Sequence, residues 1–256
     1  LSEVEALSVN GYKEVTLLGQ NVNAYGKDLN LDYDFAALLK DVSHKNIERI
    51  RFMTSHPWDF SDAMIEVMSQ SKNIMPFLHL PLQSGDTDIL KIMGRRYSVD
   101  DYMNLYHRLK EKMPNLALST DIIVGFPNET EEQFQNTLKV IDEIQFDNAY
   151  TFVYSPRPGT PAAKMEDNVP LDVKKDRLQR LNAKVNQYAL MRSKAMVGQT
   201  VKVLVDGPSK KNPNIYSGYT ENNKLVNFAT EKDVTGQVIN VKIKQANTWT
   251  LKGETL

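Results

Sequence analysis

Apolar, β-branched runs recur through the first 155 residues, at 14–18, 49–53, 77–82, 117–124 and 149–154. Between them lie stretches with helical spacing of apolar positions, at 33–43, 61–70, 99–112 and 130–144. Ser98 and Asp100 open the third of these helices, and Asn128, Thr130, Glu131 and Glu132 the fourth. They put capping oxygens and negative charge where a helix needs both. Repeated β-then-α units predict a parallel sheet. Five strands fall short of the eight in a full barrel of about 250 residues. The fold class expected is therefore α/β, an incomplete parallel (β/α) TIM-like barrel or an open doubly wound sheet.

The two faces of each strand favour the barrel. In 77–83, Leu78, Leu80 and Leu82 share one face while His79, Pro81 and Gln83 share the other. Thr16, Leu18 and Gln20 form a second partly polar face, Arg51, Met53 and Ser55 a third, and Ala117, Ser119 and Asp121 a fourth. A small barrel fills its lumen with Val, Ile and Leu, and a doubly wound sheet is apolar on both sides. Polarity on one face, strand after strand, predicts a lumen that holds a polar ligand near the C-terminal strand ends. Pairing of these polar residues with one another is the alternative.

A long amphipathic helix follows over 170–194, with Leu171, Val173, Leu178, Leu181, Val185, Tyr188 and Leu190 as its apolar positions. Lys174, Lys175, Arg177, Arg180, Lys184, Arg192 and Lys194 make its basic face. After Gly198 the pattern changes to short alternating runs at 200–205, 224–228, 237–244 and 248–252, separated by Gly-Pro, Asn-Pro and Asn-Asn turns. About 60 residues of this kind predict a small all-β barrel, OB-like in type. Two domains result: 1–194, the partial barrel with its linking helix 170–194, and 195–256.

Charge sharpens this division. The net charge of -1 conceals 16 Lys+Arg against 25 Asp+Glu in residues 1–170, and 15 against 7 in residues 171–256. A basic second unit suits a polyanion such as nucleic acid, or simply a solvated face. No apolar run approaches the roughly 18 residues of a membrane helix, and no secretory leader precedes Leu1. The expectation is a cytoplasmic protein without a membrane partner, whose start on Leu suggests a missing N-terminal part. With no cysteine, these residues offer no disulfide, thiol nucleophile or thiolate ligand.

Several loops could carry chemistry. Gly19, Gln20, Asn21 and Asn23 follow the first strand, with small and amide groups that can approach an amino acid or a base. This is neither a Walker loop nor GxGxxG. Ser55-His56-Pro57 follows the second strand, Gln83-Ser84-Gly85-Asp86 the third, and Asp121 to Glu129, with Gly125, the fourth. Helix capping explains each loop equally well. His56, His79 and Asp121 together would make a hydrolytic metal site, which gives a metal-dependent barrel hydrolase as one reading. Ser155-Pro156-Arg157-Pro158-Gly159 projects an arginine from a stiff loop, either to receive an anion or merely to be solvated.

Taken together, Glu14 to Tyr25 (EVTLLGQNVNAY), Arg49 to Pro57 (RIRFMTSHP), Leu78 to Gly85 (LHLPLQSG), Gly94 to Tyr97 (GRRY), Asp121 to Pro127 (DIIVGFP) and Tyr154 to Ala162 (YSPRPGTPA) resemble successive signatures of the radical SAM tRNA methylthiotransferases. Ser217 to Phe228 (SGYTENNKLVNF) resembles the core of a TRAM domain. The resemblance runs in order over nearly the whole chain. It implies transfer of a methylthio group to C2 of N6-isopentenyl-adenosine beside the tRNA anticodon. Threonylcarbamoyl-adenosine and a ribosomal protein are the substrates of sister enzymes.

In such chemistry one [4Fe–4S] cluster cleaves S-adenosylmethionine to a deoxyadenosyl radical, and a second cluster takes part in sulfur donation. Carried over, the resemblance implies cofactor contacts at Gly19, Gln20, Asn21, Ser84, Asp121 and Gly125. It further implies substrate contacts at His79, Gln83 and Arg157, and RNA contacts at Lys210 and Lys211. No metal ligand is assigned, because the family's cluster cysteines would precede Leu1. The expectation is then a C-terminal portion of the enzyme, inactive alone. An RNA-binding module without activity is the remaining reading, resting on the basic helix and on Lys202, Lys210, Lys211, Lys242 and Lys244. Reductant and sulfur source are not legible.

Overall fold

The computed structural model describes residues 1–28, 32–53, 55–210 and 212–256. In the first unit, helix α1 (Ser2–Val9) precedes β1 (Glu14–Leu17), α2 (Phe35–Ser43), β2 (Arg49–Phe52), α3 (Asp62–Gln70), β3 (Phe77–His79), α4 (Thr87–Ile92), α5 (Val99–Lys112), β4 (Ala117–Val124), α6 (Glu131–Ile144) and β5 (Asn148–Val153). The strands are parallel: β1 pairs with β2, and β3, β4 and β5 form a second ladder. A bridge from Ile50 to Ile74 joins the two ladders ahead of β3. This is the open, incomplete parallel barrel expected from the faces. Leu78, Leu80 and Leu82 are fully buried in the apolar cluster shared with the helices.

The expected strand over 77–82 stops at His79. Pro81 has no N–H to give the ladder, and Leu82 N–H instead finds the Thr120 hydroxyl at 2.8 Å. Pairing resumes at Gln83, where the backbone takes φ +68 and its N–H reaches the Asp121 carbonyl at 2.8 Å. The pattern of apolar positions gives no sign of α1 or α4. The latter is one and a half turns long, too short for a periodic signal, and rests on its cap: the Asp86 carboxylate accepts from Asp88 N–H and Ile89 N–H.

Helix α7 (Leu171–Lys194) packs back on β5 and α6. Four of the seven cations of its basic face are paired. Lys174 is 3% and Arg177 4% exposed, and they pair with Asp167 at 2.7 Å and Glu129 at 2.8 Å. Arg180 forks onto Glu131, and Lys184 and Tyr188 share the Asp142 carboxylate. The helix reads as basic because most of the acidic partners lie outside it, on α6, its approach loop and the segment before α7.

The second unit is a closed five-stranded barrel of β6 (Thr200–Pro208), β7 (Ile215–Thr220), β8 (Leu225–Ala229), β9 (Val238–Ala246) and β10 (Thr250–Thr255), in the order β10-β8-β7-β6-β9. Closure leaves no sheet edge, and Val203, Val205, Tyr216, Val226, Phe228, Val241, Ile243 and Leu251 fill the interior. This barrel plugs the N-terminal end of the parallel strands. Arg49 Nη1 and Nη2 donate to the carbonyls of Tyr219 and Lys202 at 2.9 and 3.1 Å. Arg51 Nη1 and Nη2 donate to those of Glu221 and Thr220 at 3.0 and 2.8 Å. From the other side, Lys224 Nζ donates to the Asp147 carbonyl and Asn222 Nδ2 to that of Asn115. The polar face expected at Arg51, Met53 and Ser55 is therefore split: Arg51 holds a domain junction, and only the residues beyond it reach the upper rim.

Candidate cofactor and substrate site

Loops at the C-terminal ends of β1 and β2 are tied together by amides. Asn23 is buried, donates to the His56 carbonyl at 2.8 Å and accepts from His56 N–H at 2.9 Å. Asn21 Nδ2 donates to Asp59 at 2.6 Å, and Lys27 pairs with the same carboxylate. Burial raises the Asp59 pKa, but the hydrogen bonds from Lys27 and Asn21 outweigh it and hold the carboxyl below its usual range. Asn23 thus spends its amide on the scaffold.

Four side-chain atoms in this region are buried without a partner among the described residues: Asn21 Oδ1, Ser55 Oγ, His56 Nδ1 and Arg95 Nε. A buried polar atom left unpaired costs about 1–3 kcal/mol, so a cluster of them points to a missing ligand. His56 and Arg95 lie within one electrostatic neighbourhood, and Asn21 is tied to it through Asp59. Burial lowers the His56 pKa first and the charge of Arg95 second, while Asp59 and a hydrogen bond with the Gln20 backbone oppose them. These shifts favour the neutral imidazole, whose ring lies 4.4 Å from that of Trp58, which stacks in turn on Tyr97. One cation, neutral donors and acceptors, and an apolar wall suit an amino-acid zwitterion.

Across the lumen, His79 bridges β4. Its Nδ1 lies 2.8 Å from Ser119 Oγ and its Nε2 3.3 Å from Asp121 Oδ2, with Tyr150 edge-on at 6.0 Å. Register pairs His79 with Ser119, and Asp121 with Tyr150, so all four project from one face. Ser119 is 1% exposed, which removes it as a nucleophile. Gln83 is 7% exposed at a left-handed φ that a non-glycine residue rarely takes, strain of a kind that gathers at functional sites. His56 does not join His79 and Asp121. Among the described residues no group of three or more His, Asp or Glu could hold a metal ion, so the hydrolase reading has no site.

The other candidate residues divide as follows. Gly19 and Gln20 are exposed at the rim. Ser84 is fully buried, and its Oγ accepts from Asp86 N–H at 3.3 Å. Gly125, at φ +69, gives its N–H to Glu129 at 2.7 Å, and a β-carbon there would lie 2.3 Å from Lys174 Cγ. Its lack of a side chain lets α7 approach. Arg157 is exposed, on a loop whose carbonyl 157 accepts from the Thr160 hydroxyl. Lys210 is exposed near the β6–β7 turn, and Lys211 lies outside the described residues. Sequence reasoning assigns no role to Arg95, although Gly94-Arg95-Arg96-Tyr97 is visible as a motif. Its unpaired Nε needs the tertiary fold to appear.

The description "Radical SAM superfamily" matches residues 1–141, and "TRAM domain" matches residues 194–256. The chain belongs to the radical SAM superfamily and ends in a TRAM domain. It is 56% identical over 255 residues to the tRNA-2-methylthio-N(6)-dimethylallyladenosine synthase of Bacillus cytotoxicus, covering 99% of this chain and 50% of that protein. The synthase of the same name from Geobacillus thermodenitrificans is 56% identical, with 99% and 49% covered. The chain thus spans about half the length of the curated relatives it matches. In fold it is similar to Escherichia coli coproporphyrinogen III oxidase (TM-score 0.54, 14% identity, 82% of this chain and 54% of that one). It is likewise similar to the radical S-adenosylmethionine methyltransferase TsrM from Kitasatospora setae (TM-score 0.51, 14% identity, 63% and 32% covered).

Membership brings S-adenosylmethionine and [4Fe–4S] chemistry with it. The 256 residues contain no cysteine, so they do not fit a thiolate-held cluster. Their unpaired atoms would suit the amino-acid end of S-adenosylmethionine, with Arg95 as partner of its carboxylate and Asn21 Oδ1 and Ser55 Oγ as partners of its ammonium. When bound, that cofactor would supply a carbon-centred radical. The chain's own part is to bind, orient and exclude water. No helix among the described residues is long and apolar enough to cross a membrane.

Proposed function

We propose that this chain is the cofactor-binding and RNA-docking portion of a cytoplasmic tRNA methylthiotransferase that modifies C2 of N6-isopentenyl-adenosine next to the anticodon. The observation that carries the reading is the pairing, within one chain, of an open barrel bearing unpaired polar atoms at its upper rim with a TRAM domain on its floor. The 55–56% identity to synthases of that name supports it.

In this reading the rim of Gln20, Asn21, Ser55 and Arg95 anchors the methionyl group of the cofactor. His79, Gln83, Asp121 and Arg157 face the substrate. The His79 ring is oriented from both sides by Ser119 and Asp121, which gives it a defined hydrogen-bonding role toward a base. The TRAM barrel, with Lys210, Lys211 and their neighbours, holds the tRNA backbone.

The test is nucleoside analysis by mass spectrometry of tRNA from a strain lacking the encoding gene. Loss of 2-methylthio-N6-isopentenyl-adenosine, with its unthiolated precursor accumulating, is the expected result; an unchanged nucleoside profile overturns it. Because no cysteine is present, the 256-residue chain alone is expected to form no stoichiometric cluster on iron and sulfide reconstitution and to release no deoxyadenosine.

A further inference from the structure

Where the TRAM barrel meets the floor of the parallel barrel there is a cleft of about 580 Å³ that the site above does not use. Lys110 of α5, Arg192 of α7, Lys202 of β6 and Lys224 beside β8 all line it. Lys110 Nζ donates to the Pro114 and Leu116 carbonyls at 2.7 and 3.0 Å. Arg192 Nε donates to the Gln145 carbonyl at 3.2 Å, and Lys224 Nζ to the Asp147 carbonyl at 2.9 Å. Every one of these partners is neutral. Among the described residues, Lys110, Arg192 and Lys224 have no carboxylate within ion-pair distance.

Two acids share the wall, Asp147 and Glu221, so the lining stays net positive. One Asp147 oxygen is spent on Leu118 N–H at 3.1 Å. Elsewhere at this junction and along α7, Arg51 is matched with Glu14, Lys174 with Asp167 and Arg177 with Glu129, while the buried Arg49 rests on the Tyr219 and Lys202 carbonyls. Lys110 and Lys224 are each pushed down first by burial; Arg192 pushes both the same way, and the Asp147 carboxylate opposes it, outweighing Arg192 at Lys224. Gathering like charges in a partly buried cleft is unfavourable unless an anion shares it. The guanidinium is well placed for one, since only its Nε is engaged and the Nη1/Nη2 edge is left for a planar fork.

We propose that this interdomain cleft is a phosphate seat, with Arg192 as its fork and Lys110, Lys202 and Lys224 as supporting ammonium groups. On the reading given under Proposed function, the phosphate belongs to an RNA backbone passing from the TRAM surface along the side of the barrel. The separation of the two places agrees with such a route. The TRAM contact sits at the start of β4 and the candidate site toward its end; the strand's eight residues make seven rises, about 23 Å at roughly 3.3 Å each.

The test uses the whole chain with two probes, a short anticodon-type stem-loop RNA and inorganic phosphate, and the variants Arg192→Gln, Lys202→Gln and, as a control away from the cleft, Lys139→Gln. Arg192→Gln is expected to weaken RNA binding at least fivefold. It should also lower the slope of log affinity against log salt by about 0.7–0.9, the loss of one phosphate contact. Phosphate should raise the Tm of the wild type and of Lys139→Gln, but not of Arg192→Gln. If phosphate acts through Arg192 while RNA binding is indifferent to it, the seat stands and its ligand is a free phosphate. If the wild type binds no RNA, the proposed function fails, and the seat is decided by the phosphate arm. Wild-type slopes and wild-type phosphate shifts in both cleft variants overturn the seat. Should Arg192→Gln unfold, Lys202→Gln, an exposed rim residue, carries the same two readouts.

Discussion

Arg51 Nη2, 6% exposed on β2, donates to the Thr220 carbonyl of the TRAM hairpin at 2.8 Å, while its Nε sits 3.0 Å from Glu14. One side chain thus joins two strands of the parallel barrel to the domain beneath it. Arg51→Met should remove three charge-assisted contacts and leave the half-buried Glu14 carboxylate uncompensated, at a cost of about 3–5 kcal/mol. Urea unfolding should show that loss, with the TRAM barrel persisting as a second, separate transition. A single transition with unchanged midpoint would contradict the role.

Gly85 marks the closest approach between the third βα loop and α6. A β-carbon there would fall 2.4 Å from Thr137 Cα, a backbone atom that cannot swing aside. Gly85→Ala should therefore destabilise by about 1–3 kcal/mol through overpacking, readable as a drop in Tm, despite removing no contact.

Acid should loosen α7 before the rest. Arg180, by its hydrogen bonds, holds the Glu131 pKa down at about 2; at Asp142 burial raises the pKa, but bonds from Lys184 and Tyr188 outweigh it and leave it lowered. Both folded pKa values lie below the unfolded ones, so their stabilisation is present above about pH 4.5 and fades as the pH falls toward about 2. Glu131 is half exposed, which keeps the effect modest. Arg180→Gln should lower the neutral plateau of a Tm–pH curve modestly and leave its most acid end unchanged, so that the acid limb flattens over that window.

Arg95 is expected to anchor the cofactor carboxylate. Arg95→Gln should weaken S-adenosylmethionine binding by about tenfold or more, the worth of one charged hydrogen bond of about 1.5–3 kcal/mol, with little effect on Tm. Isothermal titration calorimetry on the chain measures this directly; equal affinity for both proteins would remove Arg95 from the site.

Much of the architecture was legible in the order of residues, because two short-range rules govern it. Period-two and period-3.6 patterns with capping residues placed 99–112 and 117–124 to the residue, since Ser98 and Asp101 form a capping box and the β4 run ends at Gly125. The same alternation set His79, Ser119 and Asp121 on one face, where they meet. Fewer residues of the site could be read. Asn21, His56 and Gln83 stood out as polar residues after strands, but whether an atom among them is paired depends on neighbours 30 to 40 residues away.

What the sequence by itself determined is the alternation of strands and helices, the polar lumen, the switch to an all-β end near residue 195 and the absence of any thiolate ligand. These follow from local periodicity, turn chemistry and composition. The tertiary structure alone decided how charge is spent. It turned Arg51 from a lumen candidate into a domain junction beside Arg49, buried Lys174 and Arg177 of an apparently basic helix against acids, and left Lys110, Arg192 and Lys224 without them. Charge neutralisation is a long-range property, settled by which carboxylate the fold brings within reach, and no count along the chain contains it.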